Sequence, residues 1–323
     1  MKILLIVPEE RPLRNVTKEH LAKIRSQSSD IDLQIVAASD TREIEKQMLD
    51  ANVVAGIPSS IPNLSEAKNL KWVHSFSAGM DKVLTPELVG SNVLCSNSAG
   101  IHATPIAEHI IAFLLTFTRK LKETFEQQQQ KKWQRIDELT ELKDKNVLVI
   151  GLGKIGSEAA RLASCFGAHV CAIDTSGKEK PSFVKELGTT EQLSAFLGKA
   201  DFVVLCLPHT KDTHHFINKE RLGIMQPYAV LLNIGRGGVV DEQALIEALQ
   251  QKKIGGAGLD VTEKEPLPKD SPLWDMENVV ITPHHSGISE KYMDRAIERF
   301  CLNLQAFLEG RPLPNLVDKK QGY

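Results

Sequence analysis

Residues 146–156 read Asn146-Val147-Leu148-Val149-Ile150-Gly151-Leu152-Gly153-Lys154-Ile155-Gly156. An apolar run ends at Ile150, glycines follow in the spacing G-x-G-x-x-G, and a helix-compatible run from Ser157 to Phe166 comes next. The glycine pattern alone is weak, but between a strand and a helix it reads as a loop for dinucleotide phosphates. Gly151 permits the tight turn, Gly153 lets backbone approach a pyrophosphate, and Gly156 lets helix and strand pack closely. The first helical turn, with Lys154 and Ile155, adds N–H donors and the positive end of the helix dipole. The next apolar run, Val170 to Ile173, ends at Asp174. A carboxylate there is expected to accept hydrogen bonds from the adenosine ribose and to repel a 2′-phosphate, which favours NAD over NADP. Thr175, Ser176 and Lys178 follow and soften that preference, so NADP remains possible.

Outward from this loop the chain alternates. Phe202 to Leu205, Ala229 to Asn233, Ala257 to Val261 and Val279 to Thr282 continue the series of apolar runs, which suits parallel strands buried on both faces. Upstream, Ile3 to Val7, Leu33 to Val36 and Val53 to Ala55 read as strands, with helical spacing from Thr17 to Ile24. Asp40-Thr41-Arg42-Glu43 reads as a capping box opening a helix towards Met48. One long helix is expected from about Thr104 to Gln130, and another within Ser289 to Glu309. The expectation is an α/β protein of doubly wound parallel sheets, in two domains at roughly 150 residues each.

With 39 Lys and Arg against 41 Asp and Glu, the formal charge of −2 argues against nucleic-acid or polybasic membrane binding. No apolar run reaches the ~20 residues that a membrane span needs. Met1 to Val7 reads as a buried strand rather than a signal peptide. Cys95, Cys165, Cys171, Cys206 and Cys301 show no C-x-x-C spacing and read as buried, reduced thiols of a cytoplasmic protein.

Reactive side chains cluster after the later strands, at the carboxyl ends where open parallel sheets bind ligands. Arg236 lies in Asn233-Ile234-Gly235-Arg236-Gly237-Gly238, Glu265 follows Asp260-Val261, and His284 lies in Thr282-Pro283-His284-His285. An arginine that forks onto a carboxylate, a histidine that donates a proton to a carbonyl oxygen, and an acid that steadies the imidazolium together suit reduction of a 2-oxo acid. No metal is required, because protonation and the arginine stabilise the developing alkoxide.

These motifs, with Ser77-Ala78-Gly79-Met80-Asp81, Asn97-Ser98-Ala99-Gly100, Ala107-Glu108-His109 and Leu207-Pro208, make the chain similar over nearly its whole length to the D-isomer-specific 2-hydroxyacid dehydrogenases. That group holds glycerate, lactate and phosphoglycerate dehydrogenases and glyoxylate/hydroxypyruvate reductases. The resemblance implies a Rossmann NAD-binding domain, residues 100–288, inserted into a flavodoxin-like substrate domain, residues 1–99 and 289–323. It implies that Arg236 binds substrate, Glu265 pairs with the histidine and His284 is the acid/base. It assigns Thr104, Leu207, Pro208 and Asp260 to cofactor contacts, and the backbone of Ser77, Ala78 and Gly79 to the substrate carboxylate. It also implies a homodimer and a cleft that closes over substrate. Thr262 stands where many relatives carry an aromatic residue, and His285 where a small or apolar one is usual.

Side chains expected to bear on substrate choice are His74, Phe76, Met80, His102 and Trp274; His285 is either a passive neighbour or a substrate contact. Two other readings accompany the NAD-dependent one. One is an NADPH-preferring glyoxylate/hydroxypyruvate reductase. The other is an NAD-sensing, corepressor-like binding protein, against which stand the lack of long interaction tails and of a basic stripe.

Overall fold

The structure is a computed structural model that describes residues 1–7, 15–56, 64–80, 83–175, 177 and 179–320. Asp81, Ser176 and Lys178, which carry parts of the expectations above, lie outside the described residues. The chain divides into two compact units, Met1–His102 with Ile288–Tyr323, and Ala103–Gly287.

The first unit is built on β1 (Lys2–Val7), β2 (Asp32–Ala37), β3 (Val53–Gly56), β4 (Trp72–Ser75) and β5 (Leu94–Asn97), with helices α1 (Lys18–Arg25), α2 (Thr41–Met48) and α3 (Pro86–Gly90). The strands pair in parallel in the order β2-β1-β3-β4-β5. This is the flavodoxin-like order, with its switch point between β1 and β3. Ile3 and Leu5 pack on one side with the C-terminal helix Tyr292–Leu308, whereas Leu4 and Ile6 pack on the other with α2. A strand sandwiched in this way must be apolar at every position, which is why β1 reads as a continuous run.

The second unit holds α4 (Ala103–Thr118), α5 (Leu121–Gln129), β6 (Asn146–Ile150), α6 (Lys154–Cys165), β7 (His169–Ile173), β8 (Glu186–Gly188), α7 (Leu193–Leu197), β9 (Phe202–Leu205), α8 (Lys219–Ile224), β10 (Val230–Asn233), α9 (Glu242–Gln250), β11 (Gly256–Leu259) and β12 (Val279–Ile281). The sheet runs β12-β11-β10-β9-β6-β7-β8, all parallel. Counted from β6, that is the dinucleotide-binding order extended by one strand, with the crevice at the carboxyl ends of β6 and β9. Val147 and Val149 face one core, shared with Ile110, Phe113 and Leu114 of α4; Leu148 and Ile150 face the other. The apolar stripe of α4 is thus spent inside this unit.

Several expectations are corrected. The single helix from Thr104 to Gln130 is two, because Lys120 takes a left-handed conformation (φ +49°) between α4 and α5. The Asp40 capping box is half formed: Asp40 accepts from Glu43 N at 3.1 Å, but the Glu43 carboxylate turns to Gln47 and Lys46. The reciprocal box forms instead at Thr17 and His20. The run expected to Val261 stops at Leu259, where the chain turns so that Asp260 points into the site described below. Cys165 is exposed and Cys171 half-buried, which corrects the expectation for those two, whereas Cys95 and Cys301 are buried and burial pushes the Cys206 thiol up to about 12. Strands β4, β5 and β8 were not anticipated. β8 is a short edge strand, and β4 and β5 carry polar side chains that satisfy one another in the core.

Candidate active site

At the carboxyl end of β6, Gly151 adopts φ +94°, a region costly to side chains. A Cβ there would also meet Cys206 O at 2.8 Å, so the loop lies against the end of β9. A Cβ on Gly156 would meet Gly151 O at 1.9 Å, whereas one on Gly153 would meet nothing within 4 Å. The loop is therefore tight where helix must approach strand and open above the N-terminus of α6, where Gly153 and Lys154 are exposed. That shape fits the pyrophosphate of a dinucleotide. Asp174 follows β7, partly exposed, and its Oδ2 accepts from Leu152 N at 2.7 Å. This contact, not anticipated, ties the acid to the glycine loop. Leu207 is half-buried against the core beneath, Pro208 is exposed beyond it, and Thr104 is exposed in the first turn of α4.

Arg236 follows β10 on a turn held by Asn233, a buried residue whose Nδ2 donates to Arg236 O (3.0 Å) and whose Oδ1 accepts from Gly235 N (3.1 Å). The half-buried guanidinium donates to Gly235 O at 2.8 Å. A Cβ on Gly237 would strike Thr262 O at 1.9 Å, so the turn after β10 is pressed against the turn after β11. There Glu265 spans two loops: Oε1 accepts from Thr262 N (3.3 Å) and Oε2 from His284 Nδ1–H (2.7 Å). The expected pair is present, and Thr262 closes the turn by donating its hydroxyl to Lys264 O at 2.9 Å. The His284 side chain is 50% exposed, and among the described residues its Nε2 has no partner.

His284 itself has φ +50°, uncommon for a side-chain-bearing residue. Asp260 holds it there. Its backbone carbonyl accepts from His284 N at 2.8 Å, and its carboxylate accepts from the Thr282 hydroxyl (2.6 Å), His285 N (3.1 Å), and the Ser286 amide and hydroxyl. Asp260 is 2% exposed; burial alone would raise its pKa, but these donors outweigh it and bring the group below its ordinary value. Because Thr282 gives its proton to Asp260, its oxygen accepts from His109 Nε2–H at 3.0 Å. Burial lowers the His109 pKa despite the nearby Asp260. His109, Asp260 and His285 place potential ligand atoms within 4.8 Å of one another, although the Asp260 oxygens already accept the donors named above. The sequence reading missed these supports. His109 and Thr282 lie in quoted motifs and Ser286 just beyond one, but nothing in spacing says that Thr282 and Ser286 face back to Asp260.

In the first unit, the Ser77 N–H is turned inward to Ser75 Oγ (3.1 Å), so it is not offered to a ligand as expected. Among the described residues, the Ala78 and Gly79 amides have no acceptor, and the turn is held by Ser98 N on Ser77 O (3.1 Å) and Asn97 Nδ2 on Ala78 O (2.8 Å). His74, Phe76 and Met80 are at most 1% exposed, which removes them as substrate contacts. Trp274 is half exposed in the second unit, with its indole N–H on Pro268 O. His102 packs beside Tyr292 and His285 is exposed. No helix among the described residues is long and apolar enough to cross a membrane.

The family described as D-isomer specific 2-hydroxyacid dehydrogenase, NAD binding domain, matches residues 111–286. A glyoxylate reductase from Korarchaeum cryptofilum is 32% identical, covering 99% of this chain and 97% of its own. A solved D-isomer specific 2-hydroxyacid dehydrogenase family protein from Aeromonas salmonicida aligns with TM-score 0.85 and 31% identity over 98% of this chain and 99% of that one. An NADPH-dependent glyoxylate/hydroxypyruvate reductase from Sinorhizobium meliloti, solved with NADP and sulfate, aligns with TM-score 0.84 and 28% identity over the whole of both chains. The fold agrees with these likenesses, and the chain belongs to the D-isomer specific 2-hydroxyacid dehydrogenase family, enzymes that depend on NAD or NADP.

Proposed function

We propose that this enzyme reduces a small 2-oxo acid, with glyoxylate and hydroxypyruvate the leading candidates, using NADH in preference to NADPH. The observation that carries the reading is the exposed His284 imidazole, anchored through Nδ1 on Glu265 and presenting Nε2 outward. His284 protonates the carbonyl oxygen from Nε2, Glu265 steadies the resulting charge change, and Arg236 forks onto the substrate carboxylate. In the first unit, the Ala78 and Gly79 amides, without an acceptor among the described residues, are read as donors for a carboxylate. When bound, the nicotinamide supplies the hydride. Gly151, Gly153, Lys154, Ile155 and Gly156 cradle its pyrophosphate, Asp174 takes the ribose hydroxyls, and Thr104, Leu207 and Pro208 complete the cofactor contacts; Asp260, expected among them, is buried with its carboxylate spent on Thr282, His285 and Ser286 and supports the His284 loop instead. Residues 100–288 are assigned to the cofactor, and 1–99 with 289–323 to the substrate.

The glyoxylate reductases among the relatives support a small substrate. Asp174 supports NADH, since a partly exposed carboxylate disfavours a neighbouring phosphate. A homodimer is proposed as well, supported by the exposed Phe125 and Trp133, at 58% and 101%, on and after α5; light scattering at twice the chain mass tests it. The stereochemical side is tested with NAD and the two glycerate enantiomers. Oxidation of the D form alone is expected, and oxidation of the L form alone contradicts the proposal.

A further inference from the structure

Beneath the Ser75–Gly79 turn lies a row of polar groups sealed from water. Trp72, His74, Ser96 and Ser98 are all 0% exposed. Trp72 Nε1 lies 2.8 Å from Ser96 Oγ, which lies 2.7 Å from His74 Nδ1. His74 Nε2 lies 3.3 Å from Ser98 Oγ, which lies 3.2 Å from Ser75 O. Trp72, Phe76 and Phe300 surround the imidazole with ring centroids 5.3–5.9 Å away.

One arrangement of protons satisfies every contact in this row. An indole N–H only donates, so Ser96 Oγ accepts from Trp72. A carbonyl only accepts, so Ser98 spends its single proton on Ser75 O. Ser98 can then meet His74 only as acceptor, which puts the imidazole proton on Nε2. Burial, reinforced by Arg299, lowers the His74 pKa to about 3, so the ring is neutral and Nδ1 carries a lone pair. Ser96 donates to that lone pair. The bonds run in one direction, from Trp72 through Ser96, His74 and Ser98 to the Ser75 carbonyl.

Its last members hold the turn. Ser98 also gives its backbone N–H to Ser77 O, and the Ser75 hydroxyl accepts from Ser77 N. Apolar packing alone would not need an imidazole here, and an unsatisfied buried polar group is costly, so a histidine with both nitrogens engaged specifies one geometry.

We propose that His74 is a positioning residue: as an Nε2–H imidazole it fixes Ser98, and through Ser98 the backbone turn that presents the Ala78 and Gly79 amides to the substrate carboxylate. This rests on the reading of that turn as the carboxylate site.

Three measurements test it. In the wild-type enzyme, ¹⁵N-resolved NMR of the ring should show His74 protonated at Nε2 and bare at Nδ1; the opposite tautomer overturns the proposal without reference to substrate. Gln can donate and accept along the same row, whereas Leu can do neither. His74→Leu should therefore raise KM for the 2-oxo acid about 10-fold or more, with KM for the dinucleotide within about twofold, and His74→Gln should recover most of the loss. A folded His74→Leu enzyme with unchanged 2-oxo acid KM overturns the proposal. So does a KM in His74→Gln raised about 10-fold or more over wild type, a comparison that stands even if the Leu variant does not fold. Ala78→Asp separates the two readings, since it sets a negative charge on the turn. If its KM for the acid is unchanged, the carboxylate reading fails and the proposal with it. If its KM rises while His74→Leu has no effect, the proposal alone fails.

Discussion

Glu265 Oε2 lies 2.7 Å from His284 Nδ1, while the other oxygen of the same carboxylate accepts from Thr262 N. One side chain thus locks the turn after β11 to the loop after β12 and orients the imidazole whose Nε2 faces outward. Replacing His284 with Ala should cut turnover about 10²–10⁴-fold with dinucleotide affinity kept. Glu265→Gln preserves volume but not charge and should cost roughly 10–10²-fold in kcat. Steady-state kinetics with direct measurement of cofactor binding checks both, and near-normal turnover in His284→Ala removes it as the acid.

Thr282 links His109 to Asp260, the residue that gathers the His284 loop. Thr282→Val keeps the shape but leaves a buried carboxylate oxygen one donor short, a loss of about 1–3 kcal/mol. The expected result is a lowered unfolding midpoint together with a fall in kcat, since the same loop carries His284. A drop in stability with kcat unchanged would confine Thr282 to packing.

Asp174 contacts Leu152 N and is proposed to accept from the ribose hydroxyls. Asp174→Ala should weaken both dinucleotides by loosening the glycine loop, but NADH far more than NADPH. The ratio of kcat/KM for NADH over NADPH is expected to fall about 10-fold or more, the scale of one lost charged hydrogen bond. An unchanged ratio takes Asp174 out of the ribose site.

The buried His74 also makes a stability prediction. Its folded pKa is about 3 against an unperturbed 6.5. Below pH 6.5 the unfolded chain takes a proton that the folded one refuses, so stability falls with pH until about pH 3. At pH 4.5 this group alone should cost roughly 2–3 kcal/mol relative to pH 7, at 1.36 kcal/mol per pH unit. Urea unfolding of wild type and His74→Gln at both pH values isolates it, because the other titrating groups are shared. The wild type should lose more stability on acidification, and parallel losses would contradict the assignment.

What was legible in the sequence followed from burial on both faces. β1, β6, β7, β9 and β10 are apolar at nearly every position because helices cover both sides of their sheets, so a run of apolar residues marks each one. β4 and β5 escaped that signal because His74, Ser96 and their neighbours are polar and buried, each satisfied by a partner on an adjacent strand. For the same reason the sequence suggests a substrate-facing group at His74, which the structure buries. In the site, the glycine loop was legible because a strand and a helix flank it, whereas the Glu265–His284 pair came from the family resemblance, since spacing alone leaves the acid open between Asp260 and Glu265. The inward turn of the Ser77 amide, the grip of Asp260 on Ser286 and the reach of His109 to Thr282 depend on where loops fold back, which no spacing encodes.

The central claim is tested most directly by following nicotinamide absorbance at 340 nm as the purified enzyme meets NADH or NADPH with glyoxylate, hydroxypyruvate, pyruvate and a branched 2-oxo acid. The account predicts rapid oxidation of NADH by glyoxylate or hydroxypyruvate, slower oxidation of NADPH, and loss of both in His284→Ala. Rates undiminished by that substitution, or no oxidation with any of these acids by an enzyme that binds NADH, would contradict it.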